Sequence, residues 1–104
     1  MIEVTILVPK HDNSGVEFTD EQIHAFERML CSTFGGATVV SDGTRGIWLA
    51  DDGERVDCDR HRRYIVAIPG MEGFVKVMDT CDDICRRFKQ DCVYVSYLGY
   101  SEIL

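Results

Sequence analysis

Residues 2–8 read Ile2-Glu3-Val4-Thr5-Ile6-Leu7-Val8. Their strict alternation puts Ile2, Val4, Ile6 and Val8 on one face of a strand, and Pro9 ends it. Lys10 to Glu17 is polar and carries Asp12-Asn13-Ser14-Gly15, which favours turns through Asx hydrogen bonds and a glycine free of Cβ clashes, so a loop follows. Thr19 then precedes Asp20-Glu21-Gln22. The threonine hydroxyl can accept from the third helical amide while Gln22 reaches back to Thr19, and the two acids suit the positive end of the helix dipole. A helix starts there, with Ile23, Phe26, Leu30 and Phe34 as its buried stripe, and Gly35-Gly36 supplies the left-handed residue that stops it.

Downstream, 37–41, 46–50 and 54–58 read as short strands separated by Asp42-Gly43 and Asp52-Gly53 turns. The segment 62–68, mostly apolar from Tyr64 on, reads as a strand buried on both faces and closed by Pro69-Gly70. A second helix is predicted over 71–89, with Phe74, Val77, Met78, Cys81, Cys85, Ile84 and Phe88 at helical spacing. A last strand is predicted over 93–98, followed by a tail. This order matches an α+β, ferredoxin-like plan: a split βαβ antiparallel sheet with two helices on one face and an inserted β-hairpin around 42–61. If Ile2, Val4, Ile6, Val93 and Val95 point at the helices, then Thr5, Leu7, Tyr94, Ser96 and Leu98 lie on the opposite face. That face is too apolar for solvent, so it is expected to be covered, by a second copy in a homodimer or by the inserted hairpin with Trp48 as the plug.

The chain has 104 residues, 45% of them hydrophobic and 28% charged, which fits one domain over 1–104, since domains commonly run about 100 to 150 residues. Eleven Lys and Arg against eighteen Asp and Glu give a net charge of -7, which repels phosphate backbones and argues against non-specific nucleic-acid binding. No apolar run approaches the ~18 residues of a membrane span, and the start lacks a cationic segment followed by a long apolar one. A cytoplasmic, acidic protein is the expectation. Cys31, Cys58, Cys81, Cys85 and Cys92 are odd in number with no CxxC pair, so reduced thiols are expected.

Several residues invite chemical readings. Cys58-x-x-His61 and Cys81-x-x-x-Cys85 would together supply four zinc ligands, but neither half has the usual short Cys spacing, so no metal site is assigned. Cys81 and Cys85 instead continue the apolar stripe of the second helix. His11, in the polar loop, can act as a general base with Asp12 near it, yet adjacent residues rarely orient one another, and no Ser or Cys completes a nucleophile set. His24 reads as a boundary residue of the first helix. Asp57 and Asp59 share one strand face, too few oxygens for a hard-ion cage. Arg60, Arg62 and Arg63 follow the acidic run 51–59. They either pair with those acids or clamp an anion through forked guanidinium donors. Trp48 is a core anchor or the wall of a ligand site. Gly35-Gly36 follows a helix instead of opening one, which excludes a phosphate cradle. No cofactor is called for.

Phe34-Gly35-Gly36-Ala37-Thr38-Val39, Gly46-Ile47-Trp48, Asp52-Gly53 and Gln90-Asp91-Cys92-Val93-Tyr94-Val95 resemble, in that order, the FGG-x-T, G-x-W, D-G and late F-x-Q pattern of small uncharacterised bacterial and phage proteins. The resemblance spans roughly residues 2–100 and implies a shared fold. It carries no catalytic residue. The functional expectation is a small non-catalytic binding or regulatory module. It would dimerise through the open sheet face and engage a protein or small ligand through its acidic surface or that face, inhibition of a basic protein being one form; Arg60, Arg62, Arg63, Trp48 and His11 are the candidate ligand-binding residues. The alternative is a small enzyme acting on an anionic metabolite, clamped by the same three arginines, with His11 or His61 as acid and base.

Overall fold

The computed structural model describes residues 1–41, 45–49, 52–54 and 56–104, leaving aside the side chains at 48, 56–59 and 101. Its elements are β1 (Ile2–Pro9), α1 (Asp20–Phe34), β2 (Thr38–Val40), β3 (Arg45–Leu49), β4 (Val56–Ile68), a 3-10 turn (Met71–Gly73), α2 (Phe74–Arg87), β5 (Tyr94–Tyr97) and β6 (Tyr100–Ile103). The sheet order is β2-β4-β1-β5-β6, with β3 also on β4, and all pairings are antiparallel. This is an α+β fold of ferredoxin-like plan.

β1 is central because it is hydrogen-bonded on both sides, to β4 from Ile2↔Ile68 to Pro9↔His61 and to β5 from Val4↔Tyr97 to Ile6↔Val95. Its alternation decides the layers. Val4, Ile6 and Val8 are fully buried beneath the helices together with Tyr64, Val66, Ile68, Val93 and Val95. From above, Ile23, Phe26 and Leu30 of α1 and Val77, Cys81 and Ile84 of α2 close the core, with Phe88 beyond the end of α2. Phe26 packs edge-on against both Tyr64 and Phe88, with ring centroids 5.2 and 5.5 Å apart, so a single ring joins α1 to the sheet and to α2. The Tyr64 hydroxyl donates to Glu27 Oε2 at 3.3 Å. Burial, with Glu27 beside it, pushes that phenol well above its ordinary pKa.

Local chemistry sets the ends of α1. Gln22 N donates to Thr19 Oγ1 at 3.1 Å and Thr19 N to Gln22 Oε1 at 2.8 Å, the reciprocal box expected from Thr19-x-x-Gln22. At the other end Gly35 takes φ +84, and its N–H donates to the Cys31 carbonyl.

Four expectations are corrected. Strands 54–58 and 62–68 are one strand, β4, because the charged stretch between them is simply extended; its first half pairs only with β3 and carries an arm past the end of β1 at Pro9. The predicted helix 71–89 begins as a 3-10 turn and is α-helical only over Phe74–Arg87. Met78, expected in its buried stripe, is 51% exposed. The tail after 98 is not free: Leu98 (φ +49) and Gly99 (φ +78) form a hairpin turn with both central residues left-handed, and β6 returns along β5.

Two stability changes follow from these turns. Gly35→Val is expected to lower the free energy of unfolding by on the order of 1 kcal/mol or more, read as a lower urea midpoint, because a β-branched residue tolerates φ +84 poorly. Leu98→Asn is expected to raise it by roughly 0.5–1 kcal/mol in the same melts, since asparagine enters the left-handed region at less cost than leucine.

Candidate functional site

Among the described residues, no layer covers the sheet face turned away from the helices. Register brings Glu3, Thr5 and Leu7 of β1 beside Ala67, Ile65 and Arg63 of β4, flanked by Thr38 and Val40 of β2, Tyr94 and Ser96 of β5 and Ile103 of β6. Leu7 and Ile65 are half-buried, while Tyr94 is 42% and Ile103 70% exposed. Thr5, Leu7, Tyr94 and Ser96 thus occupy the expected face, but Leu98 sits in the turn beyond it. The hairpin does not fold back over this face, since β3 lies along the part of β4 that extends past β1. The reading of Trp48 as a plug or ligand wall falls on a side chain outside the described residues; its backbone lies opposite Asp57.

Two clefts meet where β2 begins. One, of about 260 Å³, is lined by Glu3, Gly36, Ala37, Thr38, Ile65, Val66 and Ala67. The other, of about 370 Å³, is lined by Met1, Thr33, Phe34, Ala67, Ile68, Pro69, Glu72, Gly73 and Lys76. They share Ala67 and flank the segment from Phe34 to Thr38. Nothing stands within 4 Å of where a Cβ on Gly36 would lie, and its backbone needs no positive φ, so the missing side chain there leaves the cleft wall open. Glu3 and Thr38 bring polar groups to the first cleft, and Thr33, Glu72 and Lys76 to the second, among apolar residues. Such a mixed lining suits a small organic ligand with both polar and apolar parts. Sequence reading missed it, although Glu3, an acid in an apolar strand, was the available signal.

The arginines do not form one clamp. On β4 the alternation places Arg62 with buried Tyr64 on the helix side, in line with exposed Arg60, whereas Arg63 lies opposite Leu7 on the other face. Arg62 Nε is buried with no hydrogen-bond partner among the described residues.

The histidines are apart as well. His11 bridges to Glu17, with Nε2 3.6 Å from Oε1, while Asp12 turns to its own loop, its Oδ1 accepting from Ser14 N at 2.8 Å and Val16 N at 2.9 Å. His61 lies opposite Pro9, on the face away from the helices, with its ring so close to Gly46 that a Cβ there would fall 2.9 Å from Cε1.

The zinc quartet is not assembled, because the sheet stands between His61 and the α2 thiols, and Cys58's side chain lies outside the described residues. Cys81 is buried, and loss of solvent pushes its thiol up to about 12; Cys85, half-buried, is raised by the same cause. Both are poor nucleophiles as placed.

Among the described residues no helix is long and apolar enough to cross a membrane. No family model matches the chain, and no curated protein matches it. Among solved structures, a phage SAM lyase in complex with S-methyl-5'-thioadenosine is similar, with TM-score 0.71 and 19% identity over 99% of this chain and 89% of that one. A phage SAM lyase in the apo state is similar with TM-score 0.65 and 15% identity over the same shares. At these identities the likeness establishes the fold. It also overturns the expectation of a non-catalytic module, since both neighbours that share the fold along nearly the whole chain are described as enzymes, and the enzyme alternative fits them better.

Proposed function

We propose that this chain is a small lyase that cleaves an adenosyl-sulfonium substrate, S-adenosylmethionine in the first place, and releases 5'-methylthioadenosine. The observation that carries the reading is the near full-length likeness, at TM-score 0.71, to a lyase bound to that thioether. The chemistry asks little of the protein. Breaking the bond between the sulfonium sulfur and the amino-acid carbon returns the electron pair to sulfur, so the leaving group departs neutral and needs no proton. As that bond breaks, the substrate's own carboxylate oxygen bonds the same carbon and closes a lactone, so the carbon side is completed without water, added nucleophile or proton transfer. The missing nucleophile–base set is therefore no obstacle.

The substrate head carries two cations, at sulfur and ammonium, against one carboxylate, so its net charge is positive. Carboxylates at Glu3 in one cleft and Glu72 in the adjoining one, on a chain of net charge -7, suit a cation. An apolar surround also favours a step in which positive charge disappears, because the transition state loses less solvation than the ground state. The reading places the protein in the cytoplasm, where such a substrate is made.

Incubation with S-adenosylmethionine, followed by chromatography, is expected to show 5'-methylthioadenosine accumulating with protein and time. Unchanged substrate, together with no binding of the thioether at millimolar concentration, would refute the assignment. Gly36→Val is expected to weaken thioether binding at least about tenfold by filling the cleft wall, with the urea midpoint unchanged; wild-type binding would move the site elsewhere.

The uncovered face also supports a homodimer, because Leu7, Ile65, Tyr94 and Ile103 form an apolar patch that a two-fold contact buries twice. Light scattering is expected to give twice 11.8 kDa at micromolar concentration, falling to the monomer in Ile103→Arg. A monomer from the outset would refute the contact.

A further inference from the structure

The end of α2 brings thiols together that the proposed lyase chemistry does not use. Cys81 and Cys85 lie on α2, and Cys92 lies on the return toward β5. Lys89 takes φ +53, so the helix stops in a left-handed residue, and the Gln90 amide donates to the Cys85 carbonyl at 3.0 Å. This is the six-to-one bond of a Schellman turn, and it folds the chain back onto the turn of helix that carries Cys85. Gln90 Nε2 donates to the Phe88 carbonyl at 2.8 Å, and Val93 is tied to Leu104 by backbone bonds of 2.7 and 2.8 Å. Cys92 is thus held between two anchored residues.

The two thiols sense each other. Loss of solvent is the first cause that raises Cys85, and Cys92 is the next, ahead of Asp82 and Asp91, with Arg86 opposing them. Their surroundings differ: Cys92 is exposed, as is Cys31 of α1, while Cys85 is half-buried and Cys81 buried. Cys81 and Cys85 are one helical turn apart, where Cβ atoms stand about 5–6 Å from each other, beyond the ~3.5–4.5 Å that a disulfide needs. A regular helix therefore keeps that pair from joining. Cys92 approaches Cys85 from outside the helix, and no such spacing holds it away.

We infer that Cys85 and Cys92 form a dithiol modification site, which a peroxide converts to a reversible disulfide. Exposed Cys92 reacts first. Its sulfur attacks one peroxide oxygen, the O–O bond breaks, and the departing oxygen leaves as water with the thiol proton. The Cys85 sulfur then attacks the sulfenic acid so formed; the S–O bond breaks, the oxygen leaves as a second water with the Cys85 proton, and the S–S bond closes. Two thiols give two electrons to one peroxide, and a small thiol such as glutathione returns them by exchange. Half-burial shields Cys85 from peroxide itself and leaves it the resolving role. The link fastens the last turn of α2 to the start of β5, and it stands whether or not the lyase reading does.

The test treats the folded, reduced protein with a small excess of hydrogen peroxide, blocks the remaining thiols with iodoacetamide and digests with trypsin. Cleavage after Lys76, Arg86 and Lys89 gives peptides 77–86 and 90–104. Mass spectrometry is expected to find them joined, the joined species to disappear on reduction, and fragmentation to place the bond at Cys85 rather than Cys81. In Cys85→Ala the joined species is expected to vanish, and labelling of Cys92 by dimedone, which traps a sulfenic acid, to rise at least about tenfold. Separate peptides after peroxide would overturn the inference, as would a bond from Cys92 to Cys81, Cys31 or Cys58, disulfides between chains only, or a link that forms only in urea. Equal dimedone labelling of Cys92 with and without Cys85 would also overturn it.

Discussion

The double pairing of β1 is the constraint on which the rest of the molecule depends. With β4 on one side and β5 on the other, its alternation fixes the faces of both neighbours, since a shift of one residue would carry every side chain across the sheet. The buried side then specifies itself: Val4, Ile6 and Val8 have full contact with the helices, and the Phe26–Tyr64–Phe88 junction locks α1 and α2 to the same face. The cost of this order appears on the opposite face, where the same alternation leaves Leu7, Ile65 and Tyr94 without a layer. Among the described residues, no element lies over that side.

The same period of two explains why a compact block of charge in the sequence is not a compact block in space. Arg60, Arg62 and Arg63 are near neighbours in the chain, but the strand sends Arg63 to the uncovered face and keeps Arg62 beside Tyr64. What β4 groups instead are Arg45, Arg60 and Arg62, residues that become adjacent only once β3 is laid along β4.

Legibility followed the range of the interaction. The start of α1 at Thr19, its stop at Gly35 and the inward face of β1 rest on contacts within a few residues, and these were readable. The continuity of β4 was not, because the charged stretch 59–61 gives no apolar alternation when its pairing partner is unknown. Leu98 misled because leucine carries no turn signal; its left-handed φ is imposed by the pairing of β6 on β5 and eased by Gly99 next to it. The clefts were invisible for a different reason. Glu3, Thr38, Ala67 and Glu72 come from different elements, and only closure of β1 against β4, with β2 starting at Thr38, brings the two clefts together around Ala67.

That distribution also bears on what chemistry the fold can host. Nucleophilic or acid–base catalysis requires two or three groups held in mutual hydrogen-bond reach, and here His11 is committed to Glu17, Asp12 to its own loop, and the α2 thiols to the protonated state by burial. Departure of a thioether from a sulfonium has no such requirement. The activation is carried by the substrate's own positive charge, so the protein need only hold the reacting carbon and its attacking or departing partner in line and keep water away, and orientation alone can lower a barrier by several kcal/mol. Under the proposed reading, the adjoining clefts with Glu3 and Glu72 in their linings suit that demand better than ester or phosphoryl transfer, in which negative charge develops and donors must receive it. The absence of a catalytic constellation among the described residues, which first argued for a binding module, is thus as compatible with this one class of reaction as with none.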